Sequence, residues 1–338
     1  MYCGVSPDVH LFNVAINAFC KGGRIKDALG LFTQMEELGV APNAFSYNSI
    51  IHAFCKNGKL EEAGNLVKEM LQRNLVICRI TYNTLIFGFC RQGNLEVGLK
   101  LKEDMIKQGI QPSNHTYIAL LHGLCNTGKL EEAIKLWDEC KRSGLGEDVY
   151  TYGVMINAYC KNGNIVAALR LQDDMRSRCI PPTSFIYGTL IHGMCKLGLV
   201  EDAQSLFEEM RKKGVLPDVV CYTALIDGYS KLGQMEKVRR VLQEIASFNI
   251  HPNKITYIVI MDRHLKLGDM KETAKLLYEM DEKGIFPDNI NYNVFMKGNC
   301  KDGNMEEAFQ VCDHMSSNGL FEMENRLRNN RRACFVVE

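Results

Sequence analysis

An all-α fold, a helical-repeat solenoid (α-α superhelix) of nine 35-residue helix-turn-helix units, is what this sequence predicts, on three observations. From position 9 to position 323 the chain falls into nine consecutive blocks of 35 residues with no insertion or deletion between them. Each block carries two segments whose apolar residues recur at i, i+3, i+4 and i+7, the spacing of one helix face. Between those segments one glycine returns in every block, as Gly23, Gly58, Gly93, Gly128, Gly163, Gly198, Gly233, Gly268 and Gly303. A fixed period of this length denotes a stack of small units that bury their faces against neighbours, not one closed core. Such a stack presents the same few positions along a surface, which suits an extended partner.

Taken in order, residues 1–8 match the end of a block: Gly4, Pro7 and Asp8 sit where Gly214, Pro217 and Asp218 sit later. They read as the end of a truncated repeat. They lack the apolar core or Arg/Ser-rich amphipathic helix of a targeting peptide. In the first full unit, 9–43, Phe12, Ala15, Ile16 and Phe19 line one helix face, and Gly22 and Gly23 end that helix. Ile25, Ala28, Leu29, Phe32 and Met35 line the second, before Gly39 and Pro42. The same division gives units at 44–78, 79–113, 114–148, 149–183, 184–218, 219–253, 254–288 and 289–323, followed by a basic non-repeat tail, 324–338. That tail holds Arg326, Arg328, Arg331 and Arg332 and reads as a capping segment or a product of truncation, with extra contact to an anionic partner as the lesser reading. Acidic pairs such as Glu61–Glu62, Glu131–Glu132 and Glu306–Glu307 open second helices, where the dipole favours them. Alanines (Ala28, Ala63, Ala133, Ala168, Ala203, Ala308) and methionines (Met35, Met70, Met105, Met175, Met210, Met280, Met315) hold fixed slots and read as core.

Composition narrows the chemistry. Forty basic residues balance forty acidic ones, so any electrostatic footprint must come from placement. No apolar run approaches the roughly 18 residues of a membrane-spanning helix. Of the 14 cysteines, Cys20, Cys55, Cys90, Cys125, Cys160, Cys195 and Cys300 share one slot. Stacked helices stand about 8–10 Å apart, while a disulfide needs Cα atoms within about 7 Å. Without a CxxC pair for a metal, these cysteines read as small buried side chains in a reducing compartment. His52, His122 and His192 share a slot two units apart, too far to ligate one metal. The chain has no GxxxxGK[ST], GxGxxG or HExxH sequence, and we expect neither an enzyme nor a bound cofactor or metal.

One placement does point to a ligand. Lys21, Lys56, Arg91, Lys161, Lys196, Lys231, Lys266 and Lys301 occupy a single slot near the end of the first helix, broken only at Asn126. Cations there complement the helix dipole, worth about 0.3–1 kcal/mol, and in register they would also track a phosphate backbone.

The stretches ITYNTLIFGFCRQGNLEVGLKL, FSYNSIIHAFCKNGKLEEAGNLVKEM and CYTALIDGYSKLGQMEKV resemble the pentatricopeptide repeat family. So does the tyrosine in the fourth slot, Tyr47, Tyr82, Tyr117, Tyr152, Tyr187, Tyr222, Tyr257 and Tyr292, with Phe12 in the first unit. The Cys-Lys-x-Gly wording is similar to restorer-of-fertility-like members of the uniform-length P class. The near relatives with 34-residue tetratricopeptide repeats use a Trp-containing signature, whereas Trp137, the single tryptophan, falls in a second helix.

The resemblance implies sequence-specific binding of single-stranded RNA, one base per repeat, with the first repeat toward the RNA 5′ end. It implies that the fifth and last residues of a unit specify the base: Asn13/Asn43, Asn48/Cys78, Asn83/Ser113, Ile118/Asp148, Gly153/Thr183, Gly188/Asp218, Thr223/Asn253, Ile258/Asp288 and Asn293/Met323. Asn13/Asn43 resembles a pyrimidine reader, Asn83/Ser113 a cytosine reader and Thr223/Asn253 an adenine reader. Asn48/Cys78 and Asn293/Met323 read as pyrimidine preferences, and the pairs that begin with Ile or Gly depart from the pattern. The implied target is 5′-YYCNNNANY-3′. The second residue of each unit packs on the base: His10, Phe45, Ile80, His115, Tyr150, Phe185, Val220, Ile255 and Ile290. Function by occupancy of organelle transcripts follows, affecting their stability, processing, splicing or translation, in the mitochondrial matrix rather than the chloroplast stroma, with a protein partner recruited on the RNA. A protein–protein scaffold and a decayed family copy without a selected target are the rival readings.

Overall fold

Sixteen α-helices of 13 residues each make up the computed structural model, which describes residues 7–248 and 250–285. In chain order they are α1 (Val9–Lys21), α2 (Ile25–Glu37), α3 (Ala44–Lys56), α4 (Leu60–Gln72), α5 (Arg79–Arg91), α6 (Leu95–Lys107), α7 (Asn114–Asn126) and α8 (Leu130–Arg142). There follow α9 (Val149–Lys161), α10 (Ile165–Ser177), α11 (Ser184–Lys196), α12 (Val200–Lys212), α13 (Val219–Lys231), α14 (Met235–Ser247), α15 (Lys254–Lys266) and α16 (Met270–Glu282). Odd-numbered helices begin 35 residues apart, and no strand occurs among the described residues. The ninth unit and the tail, with Asp288, Ile290, Asn293, Lys301 and Met323, lie outside the described residues.

The turn between the two helices of a unit is short because the chain reverses through a left-handed residue. At Gly23 φ is 76°, and the amide of Arg24 returns to the Phe19 carbonyl at 2.9 Å, a bond that satisfies an end-of-helix acceptor. Equivalent closures recur, for example Lys59 to Phe54 and Asn94 to Phe89.

The described helices stack as two compact units, divided between Pro181 and Pro182. Within the first, α1, α3, α5, α7 and α9 form a row in which each packs on the next and on its own hairpin partner. Within the second, α11, α13 and α15 do the same. First helices are therefore buried on several sides, as Tyr47, Tyr152, Ile50, Ile86 and Ile191 illustrate. Small residues permit this approach: a Cβ on Gly88 would stand 2.7 Å from Cys55 Cβ, and one on Gly228 would meet Cys195 Sγ at 2.7 Å. The slot-sharing cysteines fill the space such glycines leave, and burial pushes the Cys55, Cys90 and Cys125 thiols up to about 11 and those of Cys160 and Cys195 to about 12. None of the described cysteines is in a disulfide.

The fourth-slot tyrosine ties the hairpin together. Its ring is buried and its hydroxyl donates to a carboxylate 22 residues on, in the second helix: Tyr47 to Glu69 (2.8 Å), Tyr117 to Glu139 (3.0 Å), Tyr222 to Glu244 (3.3 Å), Tyr257 to Glu279 (3.1 Å), and Tyr152 to Asp174. A bond to a charged acceptor contributes about 1.5–3 kcal/mol, which offsets the cost of burying a phenol. Lys102, nearly buried, joins Glu139 at 2.7 Å from the preceding unit. Among the described residues no helix is long and apolar enough to cross a membrane, and no cluster of His, Cys, Asp or Glu could hold a metal ion.

Candidate nucleic-acid interface

The last residue of each unit is the N-cap of the next unit's first helix. Asn43, Cys78, Ser113, Asp148, Thr183, Asp218 and Asn253 all hold extended backbone at that point. Asn43, Asp148, Asp218 and Asn253 accept amides of the first turn. Short polar side chains are what an N-cap favours, so capping alone accounts for much of the chemistry at this slot. Cys78 and Thr183 make no such cap bond, and Cys78 departs furthest from that preference. Its thiol is held below the ordinary value; burial raises it, but hydrogen bonds from Thr81, Ile80 and Asn48 outweigh that.

In the first three units the fifth and last residues meet. Asn13 Nδ2 donates to Asn43 Oδ1 at 3.3 Å, Asn48 Nδ2 to Cys78 Sγ at 3.8 Å, and Asn83 Nδ2 to Ser113 Oγ at 3.2 Å. Later units differ. Ile118 makes no polar contact, and Asp148 instead takes Asn114 Nδ2 at 2.8 Å and the Thr151 amide at 2.8 Å. Asp218 is occupied by the amides of Val220 and Cys221, with Gly188 buried nearby. Gly153 is buried in α9, while Thr183 caps α11, so each belongs to a different compact unit. Thr223 and Asn253 do not touch; the Thr256 hydroxyl lies between them, 2.7 Å from Thr223 Oγ1 and 3.1 Å from Asn253 Oδ1. Ile258 is half-buried, and its partner lies outside the described residues.

The second slot is exposed in every described unit. His10 and His115 face solvent, and the apolar members run from 54% exposed at Phe45 to 76% at Tyr150, with Ile80, Phe185, Val220 and Ile255 between. An unburied Phe, Tyr, Ile or Val in six of the eight described units is a surface that hydrophobicity would otherwise cover.

The basic slot lies 11 residues further along the same helix, about three turns, and so on the same face. Lys21, Lys56, Arg91, Lys161, Lys196, Lys231 and Lys266 are all exposed. Arg91 donates to the Lys56 carbonyl at 3.2 Å, and Lys161 donates to Asn126 Oδ1 at 3.1 Å. Lys231 and Lys266 are different: Asp227 holds the first at 2.6 Å and Asp262 the second at 2.5 Å, both within one helix turn. Among the described residues no carboxylate pairs with Lys21, Lys56, Arg91, Lys161 or Lys196.

Two groups escape a reading of the implied reader slots alone. One is the ninth slot, Asn17, His52, Phe87, His122, Asn157, His192, Asp227 and Asp262, which sits between reader and cation on the same face. Burial and a neighbouring lysine (Lys56, Lys161) lower the His52 and His122 pKa values, leaving both neutral near pH 7. The other is the third slot, whose Ser46, Thr81, Thr116 and Thr256 hydroxyls are fully buried. Aligning the units in the sequence brings out both slots, but not whom they touch.

Sequence comparison decides the family. A model described as the PPR repeat family matches residues 7–56, 42–77, 78–126, 117–161, 147–196, 182–231 and 217–265, and models of the PPR repeat match 255–285 and 283–316. The chain belongs to the PPR repeat family. A structure of the pentatricopeptide repeat protein PPR10 in complex with an 18-nt psaJ RNA element is similar at 25% identity and a TM-score of 0.72, over 94% of this chain and 46% of that one. PPR10 from maize alone is similar at 22% identity and a TM-score of 0.56, over 94% and 55%, a likeness of fold. A 34-residue stretch is 68% identical to a chloroplastic pentatricopeptide repeat-containing protein of Arabidopsis thaliana, covering 10% of this chain and 4% of that protein. This PPR repeat protein thus spans about half the length of the solved relatives it matches.

Proposed function

We propose that this PPR repeat protein binds single-stranded RNA of an organelle transcript, one base per repeat, and acts by occupying it. The observation that carries the proposal is the face shared by the exposed second slot, the fifth-slot reader and the basic slot, repeated along the first helices and lacking only the cation at Asn126 and a reader side chain at Gly153 and Gly188. Stacking a base on an exposed side chain such as Tyr150 or Phe45 is worth about 1–3 kcal/mol, and phosphate contacts from the cations add a sequence-independent part. PPR10 in its RNA complex supports the same partner class for this chain. Asn13/Asn43 and Asn48/Cys78 take pyrimidines, Asn83/Ser113 takes C and Thr223/Asn253 takes A, in the order 5′-YYCNNNANY-3′. The chloroplastic relative supports an organellar site of action, for which we favour the mitochondrial matrix on the Cys-Lys-x-Gly wording. Occupancy would block nucleases or RNA structure, or recruit a protein partner, and needs no catalysis by this chain.

The test is retention of a randomised single-stranded RNA pool by the purified chain at near-physiological salt, followed by sequencing. Enrichment of C at the third and A at the seventh position of a nine-base window is expected. A pool that passes through unretained would overturn the reading in favour of a protein scaffold or a copy without a target.

A further inference from the structure

Within the RNA-binding reading, one relation between neighbouring units goes beyond the reader pair. The third residue of a unit is buried beneath the fifth residue of the unit before it. Ser46 Oγ donates to Asn13 Oδ1 at 2.5 Å, Thr81 Oγ1 to Asn48 Oδ1 at 2.8 Å, and Thr116 Oγ1 to Asn83 Oδ1 at 2.6 Å. The direction of these bonds follows from the helix start. The N-cap amide of Asn43 donates to Ser46 Oγ at 3.2 Å, and that of Ser113 donates to Thr116 Oγ1 at 3.0 Å. A hydroxyl has a single proton. At Ser46 the reader's carboxamide oxygen is the nearer acceptor, 2.5 Å against 3.3 Å to Asn43 Oδ1, so that proton goes to the reader.

We infer that Ser46, Thr81 and Thr116 are positioning residues that fix which edge of the preceding unit's asparagine faces the RNA. A carboxamide can turn over and exchange its donor for its acceptor. Once Oδ1 is held by the buried hydroxyl, Nδ2 is directed to the last residue of its own unit, where one proton is used and the second remains for a base acceptor. The reader then presents a donor, the group that an acceptor on a pyrimidine's Watson–Crick edge requires. Base choice in a unit thus depends on a side chain that belongs to the next.

The chain carries its own control. Where the fifth residue is Gly188, the third residue of the next unit is Cys221, not a hydroxyl, and its Sγ would lie 3.2 Å from a Cβ at Gly188. Thr151 faces Ile118, which offers no acceptor, and its hydroxyl turns back to Asp148 Oδ1 at 3.0 Å. Opposite Gly188 the hydroxyl is missing and opposite Ile118 it is bonded elsewhere; opposite Thr223, which offers a hydroxyl in place of the amide, Thr256 still bonds the fifth residue at 2.7 Å.

The experiment compares the affinity of the full chain for RNAs differing only at the third base, C against A. Wild type is expected to prefer C by roughly ten-fold or more, the size of a lost base contact. Thr116→Val should reduce the preference to within about two-fold and leave the seventh position unchanged, and Thr116→Ser should restore it. A purely structural role would instead lower affinity for every sequence alike. The reciprocal variant needs no loss of stability: Gly188→Asn with Cys221→Thr should gain a pyrimidine preference at the sixth position that Gly188→Asn alone lacks. Thr116→Val discriminating as well as wild type, or the double variant gaining nothing, would overturn this inference and leave the RNA reading standing. A wild-type chain that holds no RNA would overturn both.

Discussion

Two stretches of the same row of cations behave differently. On α1, α3, α5, α9 and α11, the residues Lys21, Lys56, Arg91, Lys161 and Lys196 have no acidic partner among the described residues, whereas on α13 and α15 each lysine is paired with an aspartate one turn earlier. The same switch shows elsewhere in the units. The cysteine at the twelfth slot runs from Cys20 to Cys195 and gives way to Ser230 and Leu265, and exposed Leu197, Leu232 and Leu267 follow the cation from α11 onward. Repetition of a unit therefore does not repeat its electrostatics. A phosphate approaching Lys231 also meets the Asp227 carboxylate, and the pair contributes almost no net charge, so the sequence-independent grip should fall mainly on the earlier helices.

The largest effect should come from removing that grip. Lys56→Ala, Arg91→Ala and Lys161→Ala together should weaken RNA binding for all sequences and flatten the dependence of log affinity on log salt by about 2, at roughly 0.7 per single-strand phosphate contact. An unchanged slope, read by filter binding at several salt concentrations, would assign the row to dipole matching alone. Next in size, Asp227→Asn with Asp262→Asn should steepen the slope by about 1 as two lysines are released, while Lys231→Ala with Lys266→Ala should alter it little. The reverse order would erase the distinction between the two stretches.

A smaller effect tests whether the difference is confined to the binding face. The tyrosine clasp is common to both stretches, so Tyr117→Phe and Tyr222→Phe should each cost about 1–2 kcal/mol of stability and leave the salt slope alone, as thermal melts and binding would report. The clasp also sets the response to pH. The Tyr117 hydroxyl is pushed up to about 12, by burial first and then by Glu139, so its contribution is complete below the ordinary tyrosine value near 10 and is lost as pH rises toward 12. Glu139 is held below its ordinary 4.5; burial opposes this, but Lys102 and the tyrosine hydroxyl outweigh it. Its contribution is present above 4.5 and lost as pH falls through the lowered value. Chemical denaturation at stepped pH should show both limbs, and Tyr117→Phe should shrink the alkaline one by a single tyrosine's share, since Tyr222 and Tyr229 are raised likewise.

The smallest expected effect is chemical. Below pH 9 the buried thiols, raised to about 11 or 12, should resist alkylation in the native chain, whereas exposed Cys179 and half-buried Cys78, whose thiol is lowered, should react before them. Peptide mass spectrometry after brief labelling reads the order; early labelling of Cys55 or Cys160 would mean that the glycine-seated packing opens easily.

Helix boundaries, the hairpin turn and the buried faces were legible in the sequence because they depend on local rules repeated every 35 residues. Phe12, Ile16, Ala28 and Met35 sit at helical spacing and are buried, and Gly23 has the left-handed backbone that its place between two helices demands. Membership of the PPR repeat family was equally legible, because the same wording recurs in each unit. What the linear pattern could not supply is contact between units and competition for partners. Asn13 and Asn83 look alike to Thr223 in being short and polar, yet only the first two reach the last residue of their unit, because a carboxamide offers Nδ2 to it while Oδ1 holds the buried hydroxyl, whereas the single hydroxyl of Thr223 is taken up by Thr256. Lys56 and Lys231 share a slot, and the residue one turn earlier, His52 before the first and Asp227 before the second, sets which is paired. Periodicity is a one-dimensional property and the residues alone determine it; hydrogen-bond direction and net local charge depend on which side chain arrives first, and that is decided in three dimensions.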